Sequence, residues 1–376
     1  MYNFCMKLKF LKLKDYRNCK NLELDFPSNK ILIIGKNAQG KTNILESIYF
    51  LSTLKSPRTS NNIEIINFEA GDARIEAEIV KANTPVSLDY CYTRDKARSL
   101  KINGVKTTPK NFKQVLKTVL FSTNDLMLLR GNPSDRRDWL DRAIAQIYPA
   151  YDERLSKYDK IRIQKNNFLK ELIKGVPLDE TLLDVLNEQL TITGSNIIYL
   201  RIKFLAEIEK LAREKHRTIS ETEELKLSYD CSFLNGESEL ELERIVELFK
   251  TELEERRIEE LRRAQACVGP HRDDILFYIN DNEATKFASQ GQQRTVVLAL
   301  KLSELDIITE KTGDEPVLLL DDVLAELDDI RQNYLLKSIT CATQVVITSV
   351  DTILFEDEFL KDVKIYNISD GNVSQV

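Results

Sequence analysis

Apolar and polar residues alternate along the first hundred positions of the chain. Lys interleaves with Leu and Phe through Met6–Lys14; Leu22, Leu24 and Phe26 alternate, as do Ala73, Ile75, Ala77 and Ile79, and then Val86, Leu88, Tyr90 and Tyr92. A period of two sends successive side chains to opposite faces, so each run predicts a half-buried strand. Asn103-Gly104, set between Leu100/Ile102 and Val105, predicts a tight hairpin turn. From Ser134 the period lengthens. Apolar residues at 186, 190, 193, 197, 200, 204, 208 and 211 keep a three-four spacing, one long sticky stripe of a helix. The stretch Glu237–Arg263 also predicts helix, with Leu240, Ile245, Leu248, Phe249 and Leu253 on one face. After Gly269-Pro270 strands return over Ile275–Asn280, Val317–Asp321 and Gln344–Thr348, and a last hairpin, Val363–Ile368 then Val373, turns at Asp370-Gly371. No internal repeat or low-complexity tract interrupts this order.

One junction between strand and helix carries chemistry. The apolar run Ile31–Ile34 is followed at once by Gly35-Lys36-Asn37-Ala38-Gln39-Gly40-Lys41-Thr42, which fits G-x-x-x-x-G-K-[ST]. Ile44, Leu45, Ile48 and Leu51 then have helical spacing, so strand, glycine loop and helix come in the order a phosphate-binding loop requires. The glycines permit a tight loop whose N–H groups face phosphate oxygens, and the helix N-terminus adds partial positive charge. Lys41 is expected to reach the β- and γ-phosphates, and Thr42 to ligate Mg²⁺. Such a site needs a further carboxylate in the metal shell. The apolar run Val317–Leu320 delivers Asp321 and Asp322 at its C-terminal end. Asp321 is expected to hold the metal through water, and Asp322 to orient or deprotonate an attacking water. A helix cap would explain one of these acids, not two in a row. Lys41 and Asp321 must meet at one metal although 280 positions separate them. The chain therefore has to leave the nucleotide fold and return, and the helical stretch from about 125 to 265 is that excursion.

Ser289-Gln290-Gly291-Gln292-Gln293-Arg294 precedes an expected helix, Thr295–Thr309. With Ser289 as N-cap, Gln292 falls at N3, the spacing of a capping box, so a well-capped helix explains the segment by itself. A helix N-terminus is also an anion site. Ser-Gln-Gly placed shortly before the strand that ends in Asp321 resembles the signature motif of ABC-type ATPases, which completes the nucleotide site of the other subunit. Leu327-Asp328 resembles their D-loop. Thr348 stands where those enzymes carry a switch histidine and is a candidate γ-phosphate contact.

Composition removes several classes. A chain of 376 residues is long enough for two or three domains, and 42% hydrophobic with 30% charged residues describes neither a disordered nor a collagen-like protein. The aliphatic runs are too short to cross a bilayer, and the start of the chain reads as a strand rather than a leader. Six Cys lie far apart with no C-x-x-C pair, and His216 and His271 are the only imidazoles, so neither a zinc site nor a disulfide framework is expected. A reduced, cytoplasmic compartment is the default expectation. The net charge of -6 is unevenly spread: residues 1–20 hold six Lys and Arg against one Asp, whereas residues 221–263 hold fourteen acids against seven bases. Lys7, Lys9, Lys12, Lys14, Arg17 and Lys20, with Arg136, Arg137 and Arg142 farther on, are candidate DNA phosphate contacts; an ordinary solvated face is the alternative.

Together these elements resemble an ABC-type ATPase head of the SMC kind. Gly35–Asn43, Gly269-Pro270-His271-Arg272-Asp273-Asp274, Ser289–Thr295, Leu320–Asp328 and Arg136–Asp141 narrow the resemblance to the RecF family, over essentially the full length. The resemblance implies an α/β fold: a discontinuous ABC/SMC-type P-loop ATPase head with an inserted, mostly helical second lobe. The expected division is 1–124 for the N-terminal half of the head, 125–265 for the inserted lobe and 266–376 for the C-terminal half. It implies ATP and Mg²⁺ as ligands, with residues 35–42, Ser289, Gln290, Gly291 and Thr348 around the nucleotide. It implies an ATP-driven homodimer on gapped or junction DNA, with RecO and RecR as partners in placing RecA during repair, replication restart and SOS induction. Two departures stand out. Thr123-Asn124 sits at the Q-loop position, where the family usually reads Pro-Glu. Asp322 replaces the usual Glu and is one methylene shorter, which suggests slow hydrolysis suited to a switch. His271 is either structural or a DNA or phosphate contact. Two other readings are an energy-coupling subunit of a membrane transporter, which the helical insertion and the Gly-Pro-His-Arg-Asp block oppose, and an SMC-like tether, for which the insertion is short.

Overall fold

The computed structural model describes residues 6–95, 97–234, 240–339, 343–369 and 371–375. Asp370 of the last expected turn, positions 237–239 of the acidic helix, Cys5 and Cys341 lie outside the described residues. The chain divides into two compact units, one formed by residues 1–125 with 297–376 and the other by 126–296.

The first unit begins with β1 (Lys7–Tyr16), β2 (Cys19–Asp25), β3 (Lys30–Ile34) and α1 (Lys41–Thr53). β4 (Asp72–Lys81), β5 (Thr84–Thr93), β6 (Arg98–Ile102), β7 (Val105–Lys106), the single turn α2 (Pro109–Phe112) and β8 (Thr118–Ser122) follow. The alternating strands make an antiparallel sheet in the order β2-β1-β4-β5-β6-β7, and Asn103 and Gly104 take φ of 50° and 77° in the expected tight turn. Their inward residues, among them Leu11, Leu13, Ile75 and Tyr90, join Ile44, Ile48 and Phe50 of α1 in one core.

The second unit holds α3 (Met127–Arg130), α4 (Pro133–Ile147), α5 (Tyr151–Ile173), α6 (Glu180–Ser220), β9 (Leu225–Asp230), α7 (Leu242–Glu255) and α8 (Arg257–Arg263). β10 (Asp274–Ile279), β11 (Asn282–Glu283), α9 (Ala284–Phe287) and the start of α10 (Gln290–Thr312) complete it. The apolar stripe read from 186 to 211 lies on α6, a helix of 41 residues, and buries Leu186, Leu190, Ile197, Phe204 and Ile208. β9 was hidden by the acidity around it, though Leu225 and Leu227 alternate; it pairs antiparallel with β10. That pairing corrects the expected division: 266–296, including the Ser-Gln-Gly segment, belongs to the second unit, and the chain returns to the first only at Val297. Gly269 has a structural reason. At φ 124° it is in glycine's region, and a Cβ there would lie 2.3 Å from the Tyr158 hydroxyl.

Back in the first unit come β12 (Val317–Asp321), α11 (Asp329–Ser338), β13 (Val345–Ser349), α12 (Asp357–Leu360), β14 (Val363–Ser369) and β15 (Asn372–Gln375). They extend β3 and β8 into a second sheet ordered β15-β14-β3-β13-β12-β8, parallel except for β15. Continuous aliphatic runs suit parallel strands buried on both faces. Ile31, Ile33, Leu319 and Val346 carry this sheet into the same core.

Candidate functional site

Register brings the separated motifs together. Asp321 of β12 and Ile33 of β3 both pair with Thr348 of β13, so the glycine loop, the acid pair and Thr348 emerge at one edge of the parallel sheet. Open parallel sheets bind ligands in the crevice outside that edge. Gly40 turns the chain into α1 at φ 111°, and Ala38 is also left-handed at 67°. No side chain caps α1, whose N-terminus faces the loop.

Lys41 is buried; its Nζ donates to Gly35 O at 2.6 Å and lies 3.9 Å from Asp322 Oδ2. Thr42 Oγ1 donates to Asp321 Oδ1 at 3.0 Å. Burial, foremost, and then the neighbouring Asp322 push the Asp321 carboxyl above its usual range, while the hydroxyls of Thr42 and Thr348 oppose the shift. Asp321 and Thr42 are thus two hard oxygen donors side by side, an arrangement that fits a small divalent cation. Asp322 holds a left-handed backbone, φ 51°, and its N–H donates to Thr348 Oγ1 at 2.9 Å. Thr348 itself is buried and donates to Asp321 Oδ1 at 3.0 Å. Its hydroxyl is therefore engaged with the Asp321 carboxylate and the Asp322 backbone N–H.

Lys41, Thr42, Asn37, Ala38, Gly40 and Asp322 line a cavity of about 900 Å³, a size suited to a small-molecule ligand. Asn18, Asn43 and Arg58 line it too, in a chain of hydrogen bonds: Arg58 Nη1 to Asn43 Oδ1 at 2.8 Å, Asn43 Nδ2 to Asn18 Oδ1 at 2.6 Å, and Asn18 Nδ2 to Ala38 O at 3.5 Å. Sequence reasoning missed Asn18 and Arg58, which no motif marks; only the fold brings them to the loop.

The remaining candidates are exposed or half-buried. Lys36 is exposed at the loop apex and Gln39 is partly exposed. Ser289 and Gln290 are exposed and Gly291 half-buried at the N-terminus of α10, in the second unit. Ser289 and Gln292 form the expected reciprocal cap, Gln292 N–H to Ser289 Oγ at 3.2 Å and Ser289 N–H to Gln292 Oε1 at 2.8 Å. Asn124 is exposed, whereas its neighbour Asp125 accepts from Ser122 N–H at 2.6 Å and pairs with buried Lys301 at 2.8 Å.

Several candidate DNA contacts have protein partners, some buried and some at the surface. Arg136 forks onto Asp274 through two 2.7 Å bonds, Arg137 donates to Asp273 O at 2.6 Å, and Arg142 pairs with Asp138. Arg17 forks onto the buried Glu46, and Lys12 and Lys20 pair with Glu23 and Glu69. His271 is structural: Nδ1 lies 2.6 Å from the Tyr158 hydroxyl and Nε2 3.2 Å from Ala266 O.

Residues 7–373 match the family described as the RecF/RecN/SMC N terminal domain. The DNA replication and repair protein RecF of Bacillus subtilis (strain 168) is 39% identical over 368 residues, 97% of this chain and 99% of that protein. RecF of Halalkalibacterium halodurans is 38% identical over 372 residues, 98% of this chain and all of its own. Among solved structures, the recombination mediator protein RecF-ATP of the RecFOR pathway matches with a TM-score of 0.90 at 34% identity, covering 99% of this chain and 98% of that one. An Smc head domain from Pyrococcus furiosus shares the fold alone, at 16% identity and a TM-score of 0.55.

Proposed function

Because the chain belongs to the RecF family of DNA replication and repair proteins, ATPases of the ABC/SMC type, we propose that it is an ATP-dependent DNA-binding switch that dimerises on gapped DNA. One observation carries this reading: Lys41, Thr42, Asp321, Asp322 and Thr348 converge at one sheet edge although they lie on or just after three strands, β3, β12 and β13, that are far apart in sequence.

The loop's N–H groups and Lys41 hold the β- and γ-phosphates of ATP. Lys41 exchanges its present bond to Gly35 O for phosphate oxygens, a stronger charge-assisted partner. Thr42 and Asp321 hold Mg²⁺, which when bound neutralises phosphate charge. Asp322, held by its strained backbone and by Thr348, accepts a hydrogen bond from the attacking water and orients it. A side chain shorter than the usual Glu aligns that water less well, so turnover is slow. Ser289, Gln290 and Gly291 grip the γ-phosphate bound by a second copy, which makes the dimer depend on ATP rather than ADP. RecF-ATP in the RecFOR pathway is one solved relative, and RecO and RecR are the partners this reading assigns. A cytoplasmic place accords with that role, and no helix among the described residues is long and apolar enough to cross a membrane. The transporter and tether readings gain nothing from full-length relatives named for replication and repair.

Sedimentation with ATP and Mg²⁺ tests the composite site. Wild type dimerises with ATP and not with ADP; Asp322→Asn dimerises and persists, because water activation falls; Ser289→Arg binds ATP and stays monomeric. A Ser289→Arg protein that dimerises normally leaves Ser289 with its cap alone, and the composite-site mechanism is wrong.

A further inference from the structure

Besides the residues that meet phosphates, the cavity of about 900 Å³ is lined by Ile66, Asn67 and Phe68. Phe68 is 99% exposed, so its ring packs on nothing in the protein and forgoes the stabilisation that burial of an aromatic brings. Yet the backbone beneath it is firmly held. Ala70 N–H donates to Asn67 O at 3.1 Å and Glu69 N–H to Asn67 Oδ1 at 3.0 Å, closing a turn with Phe68 at its apex. The Arg94 guanidinium binds three carbonyls of that turn, Asn67 O at 2.9 Å, Phe68 O at 3.1 Å and Ala70 O at 2.7 Å. Asn67 is fastened to the β1–β2 turn, N–H to Asp15 O at 2.8 Å and Nδ2 to Arg17 O at 2.6 Å. That same turn carries Asn18, which donates to Ala38 O of the glycine loop. A bare ring on a braced turn, tied through two hydrogen-bonded links to the phosphate loop, is a pre-set flat surface.

We propose that Phe68 is the stacking platform for the base of the nucleotide whose phosphates the glycine loop holds. The inference rests on the ATP reading above and adds the base subsite to it. Stacking uses the π-face of the ring, which every base possesses, and the Phe side chain offers no group to read a base edge. Phe68 therefore supplies affinity for a nucleoside triphosphate over a bare polyphosphate, without choosing between ATP and GTP.

Titration calorimetry on the full chain with Mg-ATP, Mg-GTP and magnesium tripolyphosphate tests it. Phe68→Ala is expected to weaken ATP and GTP alike by roughly tenfold, the scale of one lost base–aromatic stack, and to leave tripolyphosphate unchanged. Phe68→Trp restores or tightens ATP binding. Lys41→Ala weakens ATP and tripolyphosphate together, a different pattern that reports on the phosphate site alone. Unchanged ATP affinity in Phe68→Ala overturns the proposal, whether or not DNA binding falls. An equal loss of ATP and tripolyphosphate also overturns it, since the change then acts on the loop and not on the base. A wild-type protein that binds neither ligand sinks the ATP reading and this inference with it.

Discussion

Each unit contains a cluster of charged side chains beside a glycine-bearing segment, and the two are built on opposite terms. In the second unit every strong donor and acceptor of the cluster finds a protein partner. Arg201, 2% exposed, forks onto Asp141 at 2.9 Å twice and donates to Pro270 O at 2.6 Å. Tyr151 OH donates to Asp141 and Tyr229 OH to Asp273, closing the network. In the first unit Lys41 is bonded, among the described residues, only to backbone carbonyls, and lies 3.9 Å from the Asp322 carboxylate. Asp322 keeps a strained backbone, and a cavity of about 900 Å³ opens beside both. Saturated charge welds a lobe; charge with spare capacity, strain and room awaits a ligand.

Breaking the saturated cluster gives the largest expected effect. Asp141→Ala leaves Arg201 buried without its carboxylate, a loss of about 3–5 kcal/mol in unfolding free energy. Denaturant unfolding measures it. A loss below about 1 kcal/mol would mean that water reaches Arg201 and that the contrast between the clusters is false. Lys41→Ala shows the reverse pattern. Its carbonyl partners are weakly held, so stability barely moves, while ATP affinity falls by roughly 100-fold with the only side-chain cation on the β/γ oxygens gone. A fluorescent ATP analogue reads this out, and unchanged affinity ends the phosphate-loop assignment.

The sequence made the two clusters hard to tell apart. Gly35–Thr42 and the acids after Leu320 were legible because a fixed spacing carries their chemistry whatever surrounds it, and the periods of two and of three to four marked the strands and α6. Gly269–Asp274 looked equally chemical, but its partners Arg201, Tyr158 and Tyr229 stand 44 to 113 positions away and carry no local mark. Arg136 and Arg137 looked like a basic surface until β10 supplied Asp274 and Asp273. Asn18, Arg58 and Phe68 sit in turns and loops that reach the cavity only through the fold, which no short motif encodes. The placement of 266–296 was lost for the same reason, because β10 takes its unit from pairing with β9.

Histidine 271 sharpens the contrast through pH. Burial, foremost, pushes its imidazole down to about 3 against the opposing bond to Ala266 O, with the nearby Arg162, Arg272 and Arg137 adding to the downward shift. The unfolded ring titrates near 6.5. Because the folded pKa is the lower one, its contribution to stability is complete above pH 6.5 and is lost as pH falls from there toward 3. The loss is about 1.4 kcal/mol per pH unit, or roughly 2 kcal/mol by pH 5. The stability difference between wild type and His271→Gln should therefore shift by that amount between pH 8 and pH 5. A ring that titrates near 6.5 by NMR in the folded protein would place it in solvent and return it to the candidate DNA contacts.

The smallest effect tests the same rule on the surface. On β1, Lys12 is paired with Glu23 at 2.6 Å, whereas Lys9 and Lys14 are exposed and form no ion pair among the described residues. If spare charge is what meets DNA, Lys9→Gln with Lys14→Gln should lower the log–log salt slope of binding by roughly 1.4 to 1.8, two phosphate contacts, the lower figure for single strands. Lys12→Gln should change it little, because Glu23 already neutralises that ammonium and its release would have to precede any phosphate contact. The expected loss of affinity is modest and vanishes at high salt, as counterion release requires. Fluorescence anisotropy with a gapped duplex across a salt series measures both. A slope that falls with Lys12→Gln as much as with the double variant would show that a surface ion pair does not withdraw a lysine from DNA, and a slope unmoved by either puts the DNA path away from β1.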